Sequence, residues 1–363
     1  MIEIHNPGLY STIQDIGRKG YQNIGVPECG AMDKLSFRIA NLLVGNPENT
    51  PSIEITLYGP ELYFEVPTYI AITGADLSPY IDDTPINNWT TVLIKGGQTL
   101  KFYGPVGNGG RAYIAIGGGL NSDFIKEIMG SFSTYVPGEF GGYAGRQLKS
   151  GDSLLVNPYY KPKDMKVYNN APVFIDKVVL NVILGPQEDF FDKLSITNFF
   201  KSEYFVSTDS NRMGTRLHGD PLTHINGLDV ISDGNAFGSV QVPVNGQPII
   251  LLADRGTTGG YAKLGTVITA DHSKLAQMIP GNTVIFKKIG VNEAVDLLIE
   301  QECHVREINK VELRNPLIKV GDSRIDVLDS DGKPIQIKES THKKFNIEVV
   351  HKDTIDEVEV YID

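Results

Sequence analysis

The sequence predicts a mainly β protein: two β-barrel-type units with a few short helices. Three observations carry this expectation. Strand-length apolar runs, bounded by turn formers, dominate the chain. Glycine is abundant (38) and proline (20) is spread throughout, so those runs are cut short. A turn-then-strand pattern also recurs, as GGQTLKF (96–102), SGDSLLV (150–156) and PGNTVIF (280–286). In each copy a glycine able to take unusual backbone angles feeds a strand. Copies near 156 and 286 suggest two units, each closing on a similar strand. The pattern favours a barrel or sandwich over a doubly wound sheet.

Taken in order, the first long element is a helix within GAMDKLSFRIANLLVGNP, where Met32, Leu35, Ile39, Leu42 and Leu43 recur at helical spacing. Gly45-Asn46-Pro47 stops it. Strands follow at YIAITGA (69–75), TVLIKGGQTLKF (91–102) and RAYIAIGGG (111–119). The stretch NPYYKPKDMKVYNNAP (157–172) is polar, carries Pro158, Pro162 and Pro172, and lacks periodicity. It marks a boundary between a unit at 1–165 and a second at 172–295. The second unit opens with KVVLNVILGPQ (177–187), a turn or two of helix at PQEDFFDKL (186–194), and the strand QPIILLAD (247–254). Short helices are expected at HSKLAQMI, ended by Pro280-Gly281, and at NEAVDLLIEQE (292–302). Charge then rises, and 305–363 reads as a small appendage of hairpins with an SDGK turn.

The chain has 363 residues, a net charge of −11 and a pI of about 5.2. Such an acidic balance argues against nucleic acid as a partner. Cys29 and Cys303 form neither a disulfide framework nor a metal spacing, which suits a reducing cytoplasm. The N-terminal MIEIHNPGLYST lacks the basic and apolar regions of a secretory signal, and no apolar run approaches the ~20 residues of a membrane span. Phosphate loops, dinucleotide fingerprints, H-E-x-x-H and nucleophile elbows are absent, and no metal site is expected.

Four polar, glycine-punctuated clusters remain. In YSTIQDIGRKGYQNIGVPECGAMD (10–33), Gln14, Asp15 and Arg18 either form a structural turn or recognise an amide or carboxylate. In GSFSTYVPGEFGGYAGRQLKSGD (130–152), Ser131, Ser133 and Thr134 precede a segment that is either a long hairpin loop or a source of backbone N–H groups for an anion. In STDSNRMGTRLHGDPL (207–222), Arg212 and Arg216 either share a side and hold an anion, or are solvated and pair with Asp209 and Asp220. The densest cluster is LADRGTTGGYAKLG (252–265), preceded by Gln241. A strand ending in Asp254, Arg255, Thr257, Thr258, Tyr261 and Lys263 is either an oxyanion or phosphate site or a bulge with satisfied polar groups.

In this order, QDIGRKGYQNIGVPECGAMD, ANLLVGNPENTPSIEITLYGPELYF, GSFSTY…GGYAGRQLKSGD, NRMGTRL, GSVQVPVNGQPIILLADRGTTGGYAKLGTV and LAQMIPGN resemble the family of 5-oxoprolinase C subunits. Its members are also called biotin-dependent carboxyltransferase, allophanate hydrolase subunit 2 or KipA. The resemblance covers about residues 1–295. It departs at Asn211, Gly256 and Ala262, where the family commonly has Asp, Gln and Pro.

The resemblance implies two cyclophilin-like β-barrel units. It implies one component of an ATP-dependent 5-oxoprolinase, opening 5-oxoproline to L-glutamate with ADP and phosphate. The partners would be the B and A subunits, which are KipI-like and LamB/YcsF-like proteins. ATP, with Mg, would sit here or on a partner. Any biotin would arrive on another protein, since no Met-Lys-Met acceptor occurs. Arg255, Lys263 and Asp15 are the expected catalytic residues, with Asp254 a further candidate to orient water. Gln14, Arg18, Arg212, Arg216, Gln241, Thr257, Thr258 and Tyr261 are the expected substrate contacts. Two other readings stay open: a regulatory protein antagonising a histidine-kinase inhibitor, and a carboxyltransferase acting on a small amide or urea with carboxybiotin.

Overall fold

The computed structural model describes every residue except 158–161, 163–164, 226–228, 309–316, 322–323, 329–342, 352–353 and 363. In the N-terminal half the strands are β1 (Ile2–Asn6), β2 (Tyr10–Gln14), β3 (Ser52–Thr56), β4 (Glu61–Phe64), β5 (Thr68–Gly74), β6 (Pro79–Ile81), β7 (Thr84–Pro85), β8 (Thr91–Ile94), β9 (Gln98–Phe102), β10 (Arg111–Ile116) and β11 (Ser153–Leu154). They form a six-stranded sheet, β11-β1-β4-β9-β6-β7, and a five-stranded sheet, β2-β3-β10-β5-β8. Consecutive strands change sheet at every step except β2–β3 and β6–β7. Tight corners make this possible. Gly8 turns between β1 and β2 at φ +70°, where a Cβ would lie 2.3 Å from Tyr58 O. One core fills the space between the sheets, including Ile2, Ile13, Ile53, Phe64, Ile72 and Ile114. One expected barrel is therefore two facing sheets, because the corners pass each strand to the opposite layer instead of along one ring.

Helix α1 (Lys34–Leu43) covers the outer face of the five-stranded sheet. Strand β10 is consequently buried on both sides. Ala112, Ile114 and Ile116 face the inter-sheet core, whereas Tyr113 and Ala115 face the helix. The expected helix starts later than its apolar spacing suggested. Asp33 caps it, accepting from Ser36 N at 3.0 Å. Met32 lies before the cap and packs instead in the core of the C-terminal half.

That half is a closed seven-stranded barrel. Its strands are β12 (Lys177–Leu184), β13 (Glu203–Val206), β14 (Gly214–His218), β16 (Ser239–Gln241), β17 (Ile249–Leu251), β19 (Lys263–Val267) and β20 (Thr283–Lys288). Strand β20 closes the ring by pairing parallel to β12 and antiparallel to β13. A two-stranded flap, β15 (Asp229–Gly234) with β18 (Thr258–Tyr261), stands apart from the ring. A 3-10 turn, Glu188–Phe190, falls in the 186–194 stretch where a turn or two of helix was expected, and α2 (Lys193–Phe199) starts only at the end of that stretch; α3 (His272–Gln277) lies within the expected HSKLAQMI, and α4 (Val291–Glu307) runs past residue 305, where the appendage was placed.

The recurring turn is explained by its glycines. Gly97, Gly151 and Gly281 have φ of +86°, +86° and +92°, with nothing within 4 Å of a Cβ. Backbone conformation, not space, selects them.

The proposed boundary near 157–172 lies partly outside the described residues. Lys166 O accepts from Thr91 N and Tyr168 N donates to Trp89 O, so the N-terminal sheets extend past 165. Met1–Asn309 is one compact unit and Lys310–Asp363 another. The second contains two antiparallel pairs, β21 (Leu317–Gly321) with β22 (Arg324–Leu328) and β23 (Lys343–His351) with β24 (Thr354–Ile362). The SDGK turn lies outside the described residues. Among the described residues, no helix is long and apolar enough to cross a membrane.

Candidate functional site

The two halves of Met1–Asn309 meet along a seam built from the polar clusters. The segment Pro27–Ala31 occupies its centre. Cys29 N donates to Ala253 O at 3.0 Å, and Arg18 N donates to Glu28 O at 2.8 Å. Cys29 adopts φ 56°, followed by Gly30 at φ 88°. This left-handed pair lets the chain turn sharply against the end of β17.

Arg212 and Arg255 both point into the seam. Arg212 is 8% exposed. It donates to Asp254 through Nε (2.8 Å) and Nη2 (2.9 Å), to Gly30 O (2.7 Å) and to Glu54 Oε1. Burial opposes its charge, but Asp254 and Glu54 hold its pKa well above the usual value. Arg255, 4% exposed, donates to Asn235 O (3.0 Å), Leu252 O (3.1 Å) and Glu28 Oε2 (3.2 Å). Burial pushes the Glu28 carboxyl up, yet Lys34 and Arg255 outweigh it and leave its pKa lowered.

The expected Arg212–Arg216 pair does not share a side. Asn211 N donates to Gly214 O in a turn ahead of β14, so Arg212 precedes the strand. Arg216 then falls on the outward face of the strand and is exposed, while Thr215 and Leu217 point inward. Arg212 pairs with Asp254 and Glu54 rather than Asp209 or Asp220.

Asp15 is 1% exposed and accepts from Gly17 N, Ser131 Oγ, Ser133 Oγ and Phe132 N at 2.8, 2.7, 2.5 and 2.7 Å. This carboxylate is held by four donors and shielded from solvent, the geometry of a turn anchor. A general base needs access to a proton, which these bonds do not leave it. Next to it, Gln14 Nε2 donates to Thr134 O (3.2 Å), and Arg18 Nη2 donates to Ser133 O (2.6 Å). The Phe140 ring lies 4.8 Å from the Arg18 guanidinium carbon.

The remaining expected residues gather at the flap. Lys263 Nζ donates to Asp233 Oδ2 and Gly234 O, both at 2.9 Å. Thr257 O accepts from Asn235 N at 3.0 Å. Thr258 and Tyr261 lie on β18 and are exposed. Gln241, 8% exposed, reaches Gly259, where a Cβ would lie 2.6 Å from its Nε2 and 3.0 Å from Asn235 Nδ2. A side chain at Gly259 would have to displace the ends of Gln241 and Asn235.

Several seam residues escape the sequence reading. Glu28 lies in the 10–33 cluster and Glu54 on β3, outside all four clusters, and both become partners only by folding. Tyr10 and Tyr135 flank the seam. Burial raises the pKa of both; Asp254 also raises both, and Glu54 raises Tyr10. The buried Cys29 thiol is pushed up to about 12, by burial first and then by Asp254, although Arg18 and Arg212 oppose the shift. It is held as a thiol, not a nucleophilic thiolate. Asn235 lay in a Gly-Asn-Ala stretch that carried no motif.

The arrangement bears on a bound nucleotide. Arg212, Arg255 and Lys263 are each already paired to carboxylates, and Arg216 faces outward. No cluster of three or more His, Cys, Asp or Glu suited to a metal occurs among the described residues.

Residues 24–288 match the family model described as carboxyltransferase domain, subdomain A and B. The chain is 36% identical over 308 residues to an Escherichia coli (strain K12) protein named as the C subunit of 5-oxoprolinase, covering 85% of this chain and 97% of that one. A Haemophilus influenzae protein of the same name is 35% identical over 313 residues, covering 86% and 98%. A Saccharomyces cerevisiae urea amidolyase is 34% identical over 333 residues, covering 86% of this chain but 18% of that one. Among solved structures, the K. lactis urea amidolyase matches with a TM-score of 0.79 at 30% identity, over 89% of this chain and 20% of that one.

Proposed function

Since the chain belongs to the carboxyltransferase-domain family and, within it, to the family of 5-oxoprolinase C subunits, we propose that it serves a cytoplasmic, ATP-dependent 5-oxoprolinase. The complex would hydrolyse 5-oxoproline to L-glutamate, with ATP converted to ADP and phosphate. The observation that carries this reading is the alignment along 97–98% of two proteins that bear that name. In this reading the nucleotide sits on the A or the B subunit, which the carboxylate pairing of Arg212, Arg255 and Lys263 supports. This chain's share is to bind and orient the lactam amide at the seam. The amide is a poor electrophile, so position is what a binding component contributes.

The match to urea amidolyase favours a second reading, carboxyl transfer to a small amide or urea. One experiment separates the two. The chain is purified with its A and B partners and assayed for 5-oxoproline-dependent ADP formation, with urea and carboxylated biotin carrier in parallel. ADP formed only with 5-oxoproline supports the first reading. Carboxylated urea without 5-oxoproline turnover overturns it. Silence in both assays favours a regulatory binding protein.

A further inference from the structure

A cavity that none of the four polar clusters lines sits where the chain enters β12. Its volume is about 200 Å³. An engineered apolar cavity of about 150 Å³ holds benzene, so this one has room for a small ring or a short chain. Both halves build it. Gly109, between β9 and β10, forms one wall; at φ +113° a Cβ there would lie 3.1 Å from Phe174 Cδ2 and 3.3 Å from Gln277 Oε1. Phe174, Ile175, Val179 and Met278 make much of the lining apolar. The polar lining offers donors. Gln277 is fully used: its Oε1 accepts from Arg111 N (3.0 Å), and its Nε2 donates to Asp33 Oδ2 (2.8 Å) and Arg111 O (3.0 Å). Asn282, 5% exposed, is used on one side. Its Oδ1 accepts from Ile279 N at 2.9 Å, which fixes the amide, and its Nδ2 has no partner among the described residues. Register brings Lys177 to the same end of the barrel: Thr283 pairs with Lys177, and Thr283 N donates to Asp176 O at 2.8 Å. Lys274 joins them from α3. No acidic side chain is among the described residues that line the cavity.

We propose that this cavity binds a small monocarboxylate with an apolar body, of the size of a short-chain fatty acid. The carboxylate accepts from Asn282 Nδ2 in the field of the Lys177 and Lys274 ammonium groups, and the hydrocarbon lies against Phe174, Ile175, Val179 and Met278. Charge decides the class. A cationic guest would face two like charges, and a neutral alcohol would gain burial without a charge-assisted bond. Lys177 and Lys274 each hold one carboxylate outside the lining, Glu203 and Asp271, both at 2.6 Å. An ammonium has three donors, and both lysines are half-exposed, where ion pairs are weak. Their present partners therefore do not withhold them from a guest, as burial does for Arg212 and Arg255. The guest also braces the fold. It touches Gly109 of one half and α3 of the other, beside the Gln277–Asp33 bond that joins them. Such a site is independent of the seam and of the reaction proposed above.

The full chain is titrated calorimetrically with hexanoate and with 1-hexanol, which shares the hydrocarbon but not the charge. Hexanoate should bind saturably, tighter than the alcohol by about tenfold or more in Kd. It should also raise the thermal midpoint as its concentration rises, because it binds the folded state. Asn282→Asp keeps the acceptor for Ile279 N and puts an anion where the donor was. Hexanoate binding should be lost in that variant, with hexanol little changed. Lys177→Gln combined with Lys274→Gln removes the charge at two half-exposed positions without touching a buried residue, and should bring the two compounds close to parity. Where Asn282→Asp lowers the midpoint of the unliganded chain, the lysine variant alone decides. Equal affinity of the wild-type chain for both compounds, or binding of neither, overturns the site. So does a preference for hexanoate that survives in the lysine variant.

Discussion

Arg212 shows how a residue's chemistry survives folding while its role changes. In the sequence it is an arginine beside another, fit to hold an anion. In the folded chain its anions are Asp254, from the turn after β17, and Glu54, from β3. Removing one member of a buried charge network leaves the others uncompensated, and the expected cost is about 3–5 kcal/mol. Arg212→Ala should therefore lower the urea midpoint sharply at unchanged slope. A loss below about 1 kcal/mol would show that the network is not a structural tie. Met32 makes the complementary apolar case. It is 1% exposed and fills the barrel core from the other half of the molecule. Met32→Ala should cost about 2–5 kcal/mol in the same measurement.

At the scale of elements, helix ends do the joining. Asp33 caps α1 and also accepts from Ser273 Oγ (2.9 Å) and Gln277 Nε2 (2.8 Å) of α3. A cap alone is worth about 0.5–2 kcal/mol. Asp33→Ala also removes the acceptor of three buried side-chain donors, Ser36 Oγ, Ser273 Oγ and Gln277 Nε2, so its loss should exceed the cap's range. A double-mutant cycle with Ser273→Ala should show coupling, and simple additivity would assign Asp33 to capping only. Helix α4 is tied to α1 by Arg38, which donates to both Glu302 oxygens at 2.5 and 2.7 Å. The hydrogen bond from Arg38 holds the Glu302 pKa below its ordinary value, against partial burial. A carboxyl depressed on folding stabilises above its unfolded pKa of about 4.3 and loses that contribution as pH falls through the folded value. Urea midpoints measured below pH 5 should thus fall less steeply in Glu302→Gln than in the wild type. Parallel acid limbs would remove this pair from the pH dependence.

For the molecule as a whole, the seam makes two sheet systems into one body. Arg212, Arg255, Met32, Asp33 and Arg38 each have partners from the other half or from α4. Fragments 1–171 and 172–309 should not fold separately, since each would expose one side of those contacts. A chain ending at Asn309 retains every one of them. Its thermal midpoint should stay within a few degrees of the full chain's in calorimetry, and loss of the cooperative transition would show that Lys310–Asp363 is needed for folding.

Local rules carried much of this outcome. Alternation, glycine turns and helix stops depend on neighbours in the chain, so the β-rich class, the strand runs and the short helices were readable before any coordinate. The six ordered motifs likewise sufficed for the family. What the chain could not disclose is how distant polar groups cancel. Arg216 faces outward because one turn at Asn211–Gly214 shifts its register, and Arg255 meets Glu28 across 227 positions. Charge pairing and burial depend on distance in space, so only the folded structure could separate cations that are already paired, such as Arg212 and Arg255, from one that faces outward, such as Arg216.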